Sequence, residues 1–130
     1  DPVRTPMAWD GSGNAGFTTG VPWLPLNPDW QTRNVAAQAD DPVSMLTLYR
    51  GLLALRREHP ALYIGDFTLI DAPEGVLAYE RTHAGKRLRV LLNLTSNEVT
   101  VRWTGKPLLS TLDGEPAPGM LWADEGIIIE

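Results

Sequence analysis

The segment KRLRVLLNLTSNEVTVRW, residues 86–103, decides the fold. In its first half, apolar side chains alternate with polar ones along the chain. One face carries Leu88, Val90, Leu92 and Leu94, and the other carries Arg87, Arg89 and Asn93. After a Ser96-Asn97 turn signal, Val99, Val101 and Trp103 repeat the alternation. A period of two residues is typical of a β-strand with one face on a core. The segment therefore predicts two strands joined by a turn.

The same pattern of short strand-like runs extends over residues 63–130, where turn signals recur at short and regular intervals. They are Ala72-Pro73-Glu74-Gly75, His83-Ala84-Gly85-Lys86, Ser96-Asn97, Gly105-Lys106-Pro107, Asp113-Gly114-Glu115-Pro116 and Asp124-Glu125-Gly126. The run Ile127-Ile128-Ile129 predicts a last strand. Short strands separated in this way are typical of an antiparallel β-sandwich. The predicted fold class is therefore mainly β, with a sandwich over residues 61–130.

One amphipathic helix is predicted ahead of the sandwich, over residues 41–59. Asp41 suits the N-cap, and Pro42 suits the first helical position, where a missing N–H costs nothing. Helical spacing relates the apolar residues Met45, Leu48, Tyr49, Leu52 and Leu55, and Leu46 and Leu53 widen the stripe. Arg56, Arg57 and His59 suit the negative end of the helix dipole, and Pro60 ends the pattern. We expect one side of this helix to lie on a large apolar surface.

Residues 1–40 show neither a helical nor a strand period and are predicted to form a long irregular loop. The loop carries Trp9, Trp23 and Trp30. Their flat rings could stack on sugars, or they could hold the loop on a scaffold, because a tryptophan brings much apolar area to a contact. Arg4 is open to two interpretations as well. Its guanidinium could orient a substrate hydroxyl or carboxylate, or could anchor the loop.

Composition limits the possible functions. The chain has 130 residues, a net charge of −5 and no cysteine. No cluster of basic residues favours nucleic acid, no apolar run could span a membrane, and thiolate or zinc–thiolate chemistry is absent. His59 and His83 lack neighbours at metal-ligand spacing, so neither a metal nor another cofactor is expected. Asp10, Asp29, Asp40 and Asp41 lie near turns, where aspartate commonly makes local hydrogen bonds. No catalytic residue is predicted.

Four motifs nevertheless occur in a specific order. They are Arg4-Thr5-Pro6-Met7-Ala8-Trp9-Asp10, Asn14-Ala15-Gly16-Phe17, Pro22-Trp23-Leu24-Pro25-Leu26-Asn27-Pro28 and Asn34-Val35-Ala36-Ala37-Gln38. The helix then runs into Leu55-Arg56-Arg57-Glu58-His59-Pro60-Ala61-Leu62 and Gly65-Asp66-Phe67. Over roughly residues 1–70 the chain resembles the α-glucosidase and oligo-1,6-glucosidase branch of the α-amylase superfamily of glycoside hydrolases. Ala8 departs from the pattern, because the branch usually has Gln at this position.

The resemblance implies a place for each region. Members of the superfamily have a (β/α)₈ barrel whose active site lies at the C-terminal ends of its strands. Residues 1–60 would be the last active-site loop and the eighth helix of such a barrel, and residues 61–130 the C-terminal β-sandwich domain. Arg4 would bind substrate, with Trp9, Trp23 and Trp30 supporting its loop. The family's catalytic carboxylates would lie upstream, so this chain should be inactive alone.

Three functions remain open at this point. The chain could belong to a retaining hydrolase that removes terminal α-linked glucose from oligosaccharides. It could belong to a glucosyl-transferring enzyme such as trehalose synthase or a sucrose isomerase. It could also be a separate carbohydrate-binding or interaction module. The expected partners are α-glucoside oligosaccharides, and either a barrel or a second copy that covers helix 41–59. The expected location is the cytoplasm.

Overall fold

A computed structural model describes residues 4–130 of the chain. These residues belong to two units, Asp1–Arg50 and Gly51–Glu130. The helices are α1 (Val35–Ala39), α2 (Met45–Glu58) and α3 (Ala61–Ile64), and a short 3-10 turn covers Gly13–Gly16. The strands are β1 (Asp66–Leu69), β2 (Val76–His83), β3 (Lys86–Asn93), β4 (Val99–Thr100), β5 (Pro107–Ser110), β6 (Met120–Leu121) and β7 (Gly126–Ile129). Within residues 4–130, no helix is long and apolar enough to cross a membrane.

The second unit contains two antiparallel sheets. The larger has five strands in the order β1-β2-β3-β7-β5, and the smaller pairs β4 with β6. The β2–β3 hairpin turns at Ala84 and Gly85, whose φ angles are 49° and 78°. Two successive positive φ angles are typical of the tight turn that matches the right-handed twist of a hairpin. The prediction of a mainly β chain is therefore confirmed, and so is the final strand at residues 127–129.

Strand β3 lies at the centre of the second unit, and apolar residues cover both of its faces. On one face Val90 packs with Ile128 and with Leu55 of α2. On the other, Leu91 belongs to a buried cluster completed by residues from both sheets: Ala78, Val101, Leu121, Ile127 and Ile129. The alternation in the sequence predicted the first face correctly at Leu88, Val90 and Leu92, whereas Leu94 lies beyond the end of β3 and is exposed. The alternation missed the second face, because the polar residues Arg87 and Arg89 mark only the beginning of that face.

Helix α2 begins later than the sequence suggested. Asp41 was predicted as the N-cap, but its carboxylate accepts a hydrogen bond from Val43 N at 3.0 Å and stabilises a turn before the helix. Ser44 takes the capping role, since its Oγ accepts a bond from Thr47 N at 3.2 Å. Pro42 accordingly lies in the turn, and the predicted bounds 41–59 are corrected to Met45–Glu58.

The apolar side of α2 is covered over only part of its length. Leu52 and Leu55 pack on the larger sheet. Met45 and Tyr49, one turn apart on the helix, are 61% and 60% exposed. The expected apolar surface is therefore present beneath the C-terminal half of the helix, and the N-terminal half presents an apolar stripe.

Candidate functional site

The Ala8-Trp9 segment is the centre of the first unit. Ala8 O accepts a hydrogen bond from Val35 N at 3.0 Å, and Trp9 O accepts one from Ala36 N at 2.9 Å. On its other side, Trp9 N donates to Ala15 O at 2.8 Å. Three of the sequence motifs are thus joined through their backbones. We infer that their order in the sequence reflects one assembled structure.

The turn at Asn14-Ala15-Gly16 has an unusual backbone. All three residues have positive φ angles, 54°, 57° and 65°. This region is costly for alanine because its Cβ crowds the carbonyl oxygen, yet Ala15 is fully buried there. Four hydrogen bonds hold the turn in place. Ala15 O accepts from the backbone N–H groups of Trp9 and Asp10, and the Asn14 amide donates to Thr18 O and Gly20 O at 3.1 and 2.7 Å.

Asp10 completes this turn with its side chain. Its Oδ1 accepts hydrogen bonds from the hydroxyl and the backbone N–H of Ser12. These bonds favour the ionised carboxylate and lower the pKa of Asp10 below its usual value. A Cβ added to Gly16 would lie 2.8 Å from the Asp10 carboxylate oxygens. Glycine at position 16 is therefore required by both the close contact and the positive φ.

Asn34 organises the end of the loop. Its Oδ1 accepts from Ala37 N at 2.9 Å and caps helix α1. Its amide nitrogen donates to Trp30 O at 3.0 Å and to Gln31 O at 3.3 Å. The residue is 4% exposed, so these bonds form out of contact with water. Asn34 therefore fixes the backbone of Trp30 relative to α1.

Arg4 and Trp23 form the exposed pair of the first unit. The guanidinium carbon of Arg4 lies 5.9 Å from the centroid of the Trp23 ring, within the range of a cation–π interaction. Trp23 is 82% exposed. Such a pair offers planar donors beside a large aromatic surface, which are the groups that bind sugar hydroxyls and the apolar faces of sugar rings.

Of the four predicted site residues, two are in contact with each other and two have separate contacts. The structure brings Arg4 and Trp23 together. Trp9 is 50% exposed and is held by backbone hydrogen bonds to Ala15 and Ala36. Trp30 is half-buried, and its backbone oxygen accepts a hydrogen bond from the Asn34 amide. The supporting roles of the three tryptophans remain predictions.

Sequence reasoning missed Asn14, Ala15 and Asn34 as the residues that shape the site. The signal for Asn34 was present, since asparagine before a short helical run is a common N-cap. The four-residue separation of Trp30 and Asn34 in the chain is likewise compatible with a local hydrogen bond. No comparable rule indicates that Ala15 adopts a positive φ.

Three of the four aspartates considered from the sequence make local contacts. Asp10 binds Ser12, Asp29 forms an ion pair with Arg33 at 3.1 Å, and Asp41 caps a turn. The interpretation of these aspartates as local hydrogen-bond acceptors agrees with the geometry. Within residues 4–130, no group of three acidic or histidine side chains could hold a metal ion.

The family description "Alpha amylase, catalytic domain" matches residues 1–65, half of the chain. The chain belongs to the α-amylase family. A glucan 1,6-alpha-glucosidase of Streptococcus pneumoniae is 41% identical over 106 residues, which are 82% of this chain and 20% of that protein. An oligo-1,6-glucosidase of Parageobacillus thermoglucosidasius is 40% identical over 104 residues, 78% of this chain and 18% of that protein. The chain thus spans about a fifth of the length of these α-amylase-family relatives.

Solved structures of the α-amylase family resemble the chain over nearly all its length. The trehalulose synthase MutB from Pseudomonas mesoacidophila MX-45 superposes with a TM-score of 0.85 and is 34% identical. The match covers 97% of this chain and 25% of MutB. The resemblance to α-glucosidases predicted from the motifs is confirmed at the level of the family.

Proposed function

We propose that this chain is the C-terminal part of a retaining glycoside hydrolase that cleaves terminal α-linked glucose from oligosaccharides. Residues 1–60 supply the last active-site loop and the eighth helix of its (β/α)₈ barrel, and residues 61–130 form its C-terminal domain. The α-1,6-glucosidases among the relatives support the substrate class. A cytoplasmic location belongs to the same proposal, and fractionation of the source cells tests it.

The observation that carries the proposal is the Arg4–Trp23 pair, in which Arg4 begins the first of the three motifs that backbone hydrogen bonds join. The bonds from Ala8 and Trp9 to Val35, Ala36 and Ala15 fix the loop just after Arg4. A fixed loop reduces the entropy lost when a side chain orders around a ligand. In this proposal Arg4 donates hydrogen bonds to sugar hydroxyls, and the Trp23 ring supports its guanidinium.

The chemistry of bond cleavage is assigned to other parts of the protein. A retaining mechanism needs a nucleophilic carboxylate and a second carboxyl group about 5–5.5 Å from it. Asp10, Asp29 and Asp41 are engaged in local contacts, and the resemblance implies catalytic carboxylates upstream of residue 1. We therefore expect the purified 130-residue chain to release no product from an aryl α-glucoside. Turnover above the uncatalysed rate that survives repurification would contradict the proposal.

A second candidate is a glucosyl-transferring or isomerising enzyme. MutB is a trehalulose synthase, and its structure matches 97% of the length of this chain. The two candidates differ in the acceptor of the glucosyl group, which is water in one and a sugar in the other. The products that the protein from the complete reading frame forms from maltose and from sucrose separate them. Free glucose as the main product supports hydrolysis, and disaccharide isomers support transfer.

A separate carbohydrate-binding module is the third candidate, favoured by the 82% exposure of Trp23. Titration of the chain with maltose or isomaltose, followed by tryptophan fluorescence, tests it. A saturable response that Trp23→Ala abolishes, and that the exposed-residue control Trp122→Ala retains, supports a module.

The exposed stripe of α2 indicates a further partner. Met45 and Tyr49 are exposed apolar residues on one helical face, and such faces are normally covered. In the proposed parent enzyme the barrel covers them. In the separate chain we propose self-association through this helix.

A further inference from the structure

The loop between β5 and β6 contains an Asp-Gly pair with an uncommon local contact. Both Asp113 and Gly114 are exposed, and Gly114 N donates a hydrogen bond to Asp113 Oδ1 at 2.9 Å. Gly114 has a φ of +92°, and a Cβ added there would meet no atom within 4 Å. The amide nitrogen of Gly114 therefore lies beside the Asp113 side chain, in a part of the loop with open space around the Gly114 Cα.

From this geometry we propose that Asp113 is a site of spontaneous modification, at which the aspartyl residue is converted to isoaspartate through a cyclic succinimide. The hydrogen bond places the Gly114 nitrogen next to Cγ, the carbon that carries Oδ1. The nitrogen attacks Cγ of the protonated carboxyl group. The N–Cγ bond forms, the Cγ–OH bond breaks, and the amide proton leaves with the hydroxyl as water.

Hydrolysis of the ring completes the conversion. Water adds to one of the two ring carbonyls and breaks its bond to the nitrogen. Cleavage at Cγ restores aspartate, and cleavage at the main-chain carbonyl carbon leaves the chain running through the side chain as isoaspartate. One water is lost and one is gained, so the process needs no other reactant and changes no oxidation state. A glycine after the aspartate favours the ring because its backbone is the least restricted.

The chain provides its own comparison, because Asp10-Gly11 is its other Asp-Gly pair. There the carboxylate accepts hydrogen bonds from the backbone N–H and the hydroxyl of Ser12, two residues further along the chain. These bonds lower the pKa of Asp10 and disfavour the protonated form that loses water. We therefore expect modification at Asp113 and protection at Asp10.

The modification would alter a corner of the larger sheet. Isoaspartate adds one carbon to the main chain between Leu112 and Gly114. Just before it, Ser110 Oγ donates to the buried Glu125 at 3.0 Å, and Thr111 Oγ1 accepts from Gly126 N at 2.9 Å. Modified molecules should therefore show chemical-shift changes at Gly126 N–H, and none at Ser12.

The test is incubation of the folded 130-residue chain in mildly acidic buffer, followed by peptide mapping and enzymatic methylation of isoaspartate. We expect several-fold more isoaspartate in the peptide that contains Asp113 than in the one that contains Asp10. A succinimide intermediate should appear as the Asp113 peptide lacking the mass of one water. In denaturant the two peptides should react at similar rates, because the contacts that distinguish them are lost.

Two variants make the result decisive. Asp113→Glu should abolish isoaspartate formation in the peptide that contains position 113. The glutamate side chain has one more methylene group and cannot close the five-membered succinimide ring. Ser12→Ala should raise the isoaspartate at Asp10 in the folded chain while leaving that at Asp113 unchanged. Equal modification at both sites of the folded chain, or none at Asp113, would overturn the proposal.

Discussion

At the scale of single residues, Asn93 shows how one polar side chain can hold two loops. It is 2% exposed. Its amide donates to Asn97 O and Trp122 O, each at 2.7 Å, and its Oδ1 accepts from Thr95 N and Oγ1 at 3.0 and 2.8 Å. Every hydrogen-bonding position of the side chain is thus used, which is the condition under which a buried amide stabilises a fold.

We expect Asn93→Ala to lower the free energy of unfolding by about 2–4 kcal/mol, because it leaves buried donors and acceptors unpaired. Urea denaturation followed by tryptophan fluorescence measures the change. Asn97→Ala is the matched control. Asn97 is exposed and contributes its backbone oxygen, so its substitution should cost less than about 0.5 kcal/mol. Equal costs for both variants would show that the Asn93 network contributes no more stability than a surface residue does.

The Asp10–Ser12 contact predicts a pH dependence. The hydroxyl and backbone N–H of Ser12 lower the pKa of Asp10 in the folded chain. A lowered pKa stabilises the fold at pH values above the unfolded pKa, and this contribution is lost as the pH falls through the folded pKa. In an NMR titration of the side-chain carboxyl carbon, Ser12→Ala should raise the pKa of Asp10 toward its usual value. The exposed control Ser96→Ala should leave the pKa of Asp10 unchanged. An unchanged Asp10 pKa in Ser12→Ala would contradict the contact.

At the scale of secondary structure elements, the β2–β3 hairpin carries a residue poorly suited to its turn. Ala84 has a φ of 49° and precedes Gly85. Asparagine tolerates this conformation better than alanine, and Asn-Gly is the preferred pair for this turn. Ala84→Asn should therefore raise the free energy of unfolding by roughly 0.5–1 kcal/mol, and Gly85→Ala should lower it by roughly 1 kcal/mol. Thermal unfolding measures both changes in stability. If both variants were stabilised, or both destabilised, the assigned turn conformation at Ala84 and Gly85 would be contradicted.

Helix α2 shows where sequence reasoning succeeds and where it fails. Its apolar period and its basic last turn predicted the helix, and its end to within one residue. Its beginning was wrong, because Asp41 and Ser44 are both good caps and the sequence does not show that the Asp41 side chain bonds Val43 N. The short helices α1 and α3 were not predicted either. Neither has a long apolar period: the Asn34 side chain caps α1, and Ala61 O at the start of α3 accepts a hydrogen bond from Arg81 Nε.

For the candidate site, too, the sequence identified some features and not others. Arg4 and Trp23 were both identified as candidate site residues from the sequence. Their contact, at 5.9 Å between the guanidinium carbon and the ring centroid, could not be predicted from it. The motifs were recognisable as a set, whereas the backbone hydrogen bonds that join three of them through Ala8 and Trp9 are seen only in the folded structure. Hydrogen bonds between distant backbone groups leave no periodic signal in side-chain types, so local pattern rules do not find them.

At the scale of the whole molecule, the exposed stripe of α2 predicts association of the separate chain. Met45 and Tyr49 present apolar surface to water, and burial of such surface drives association. Sedimentation velocity should show dimers or larger species whose fraction rises with concentration. Tyr49→Glu should shift the chain toward monomer, whereas Thr68→Glu, on the exposed strand β1, should not. A monomer at all concentrations would contradict this prediction.

The most direct test of the proposed substrate role concerns Arg4. In the protein from the complete reading frame, we predict that Arg4→Ala lowers kcat/KM for isomaltose about 10- to 100-fold, corresponding to the loss of about 1.5–3 kcal/mol from a charged hydrogen bond. Arg102→Ala, at an exposed position of the second unit, should retain wild-type kcat/KM. An unchanged kcat/KM in a correctly folded Arg4→Ala protein would contradict the account.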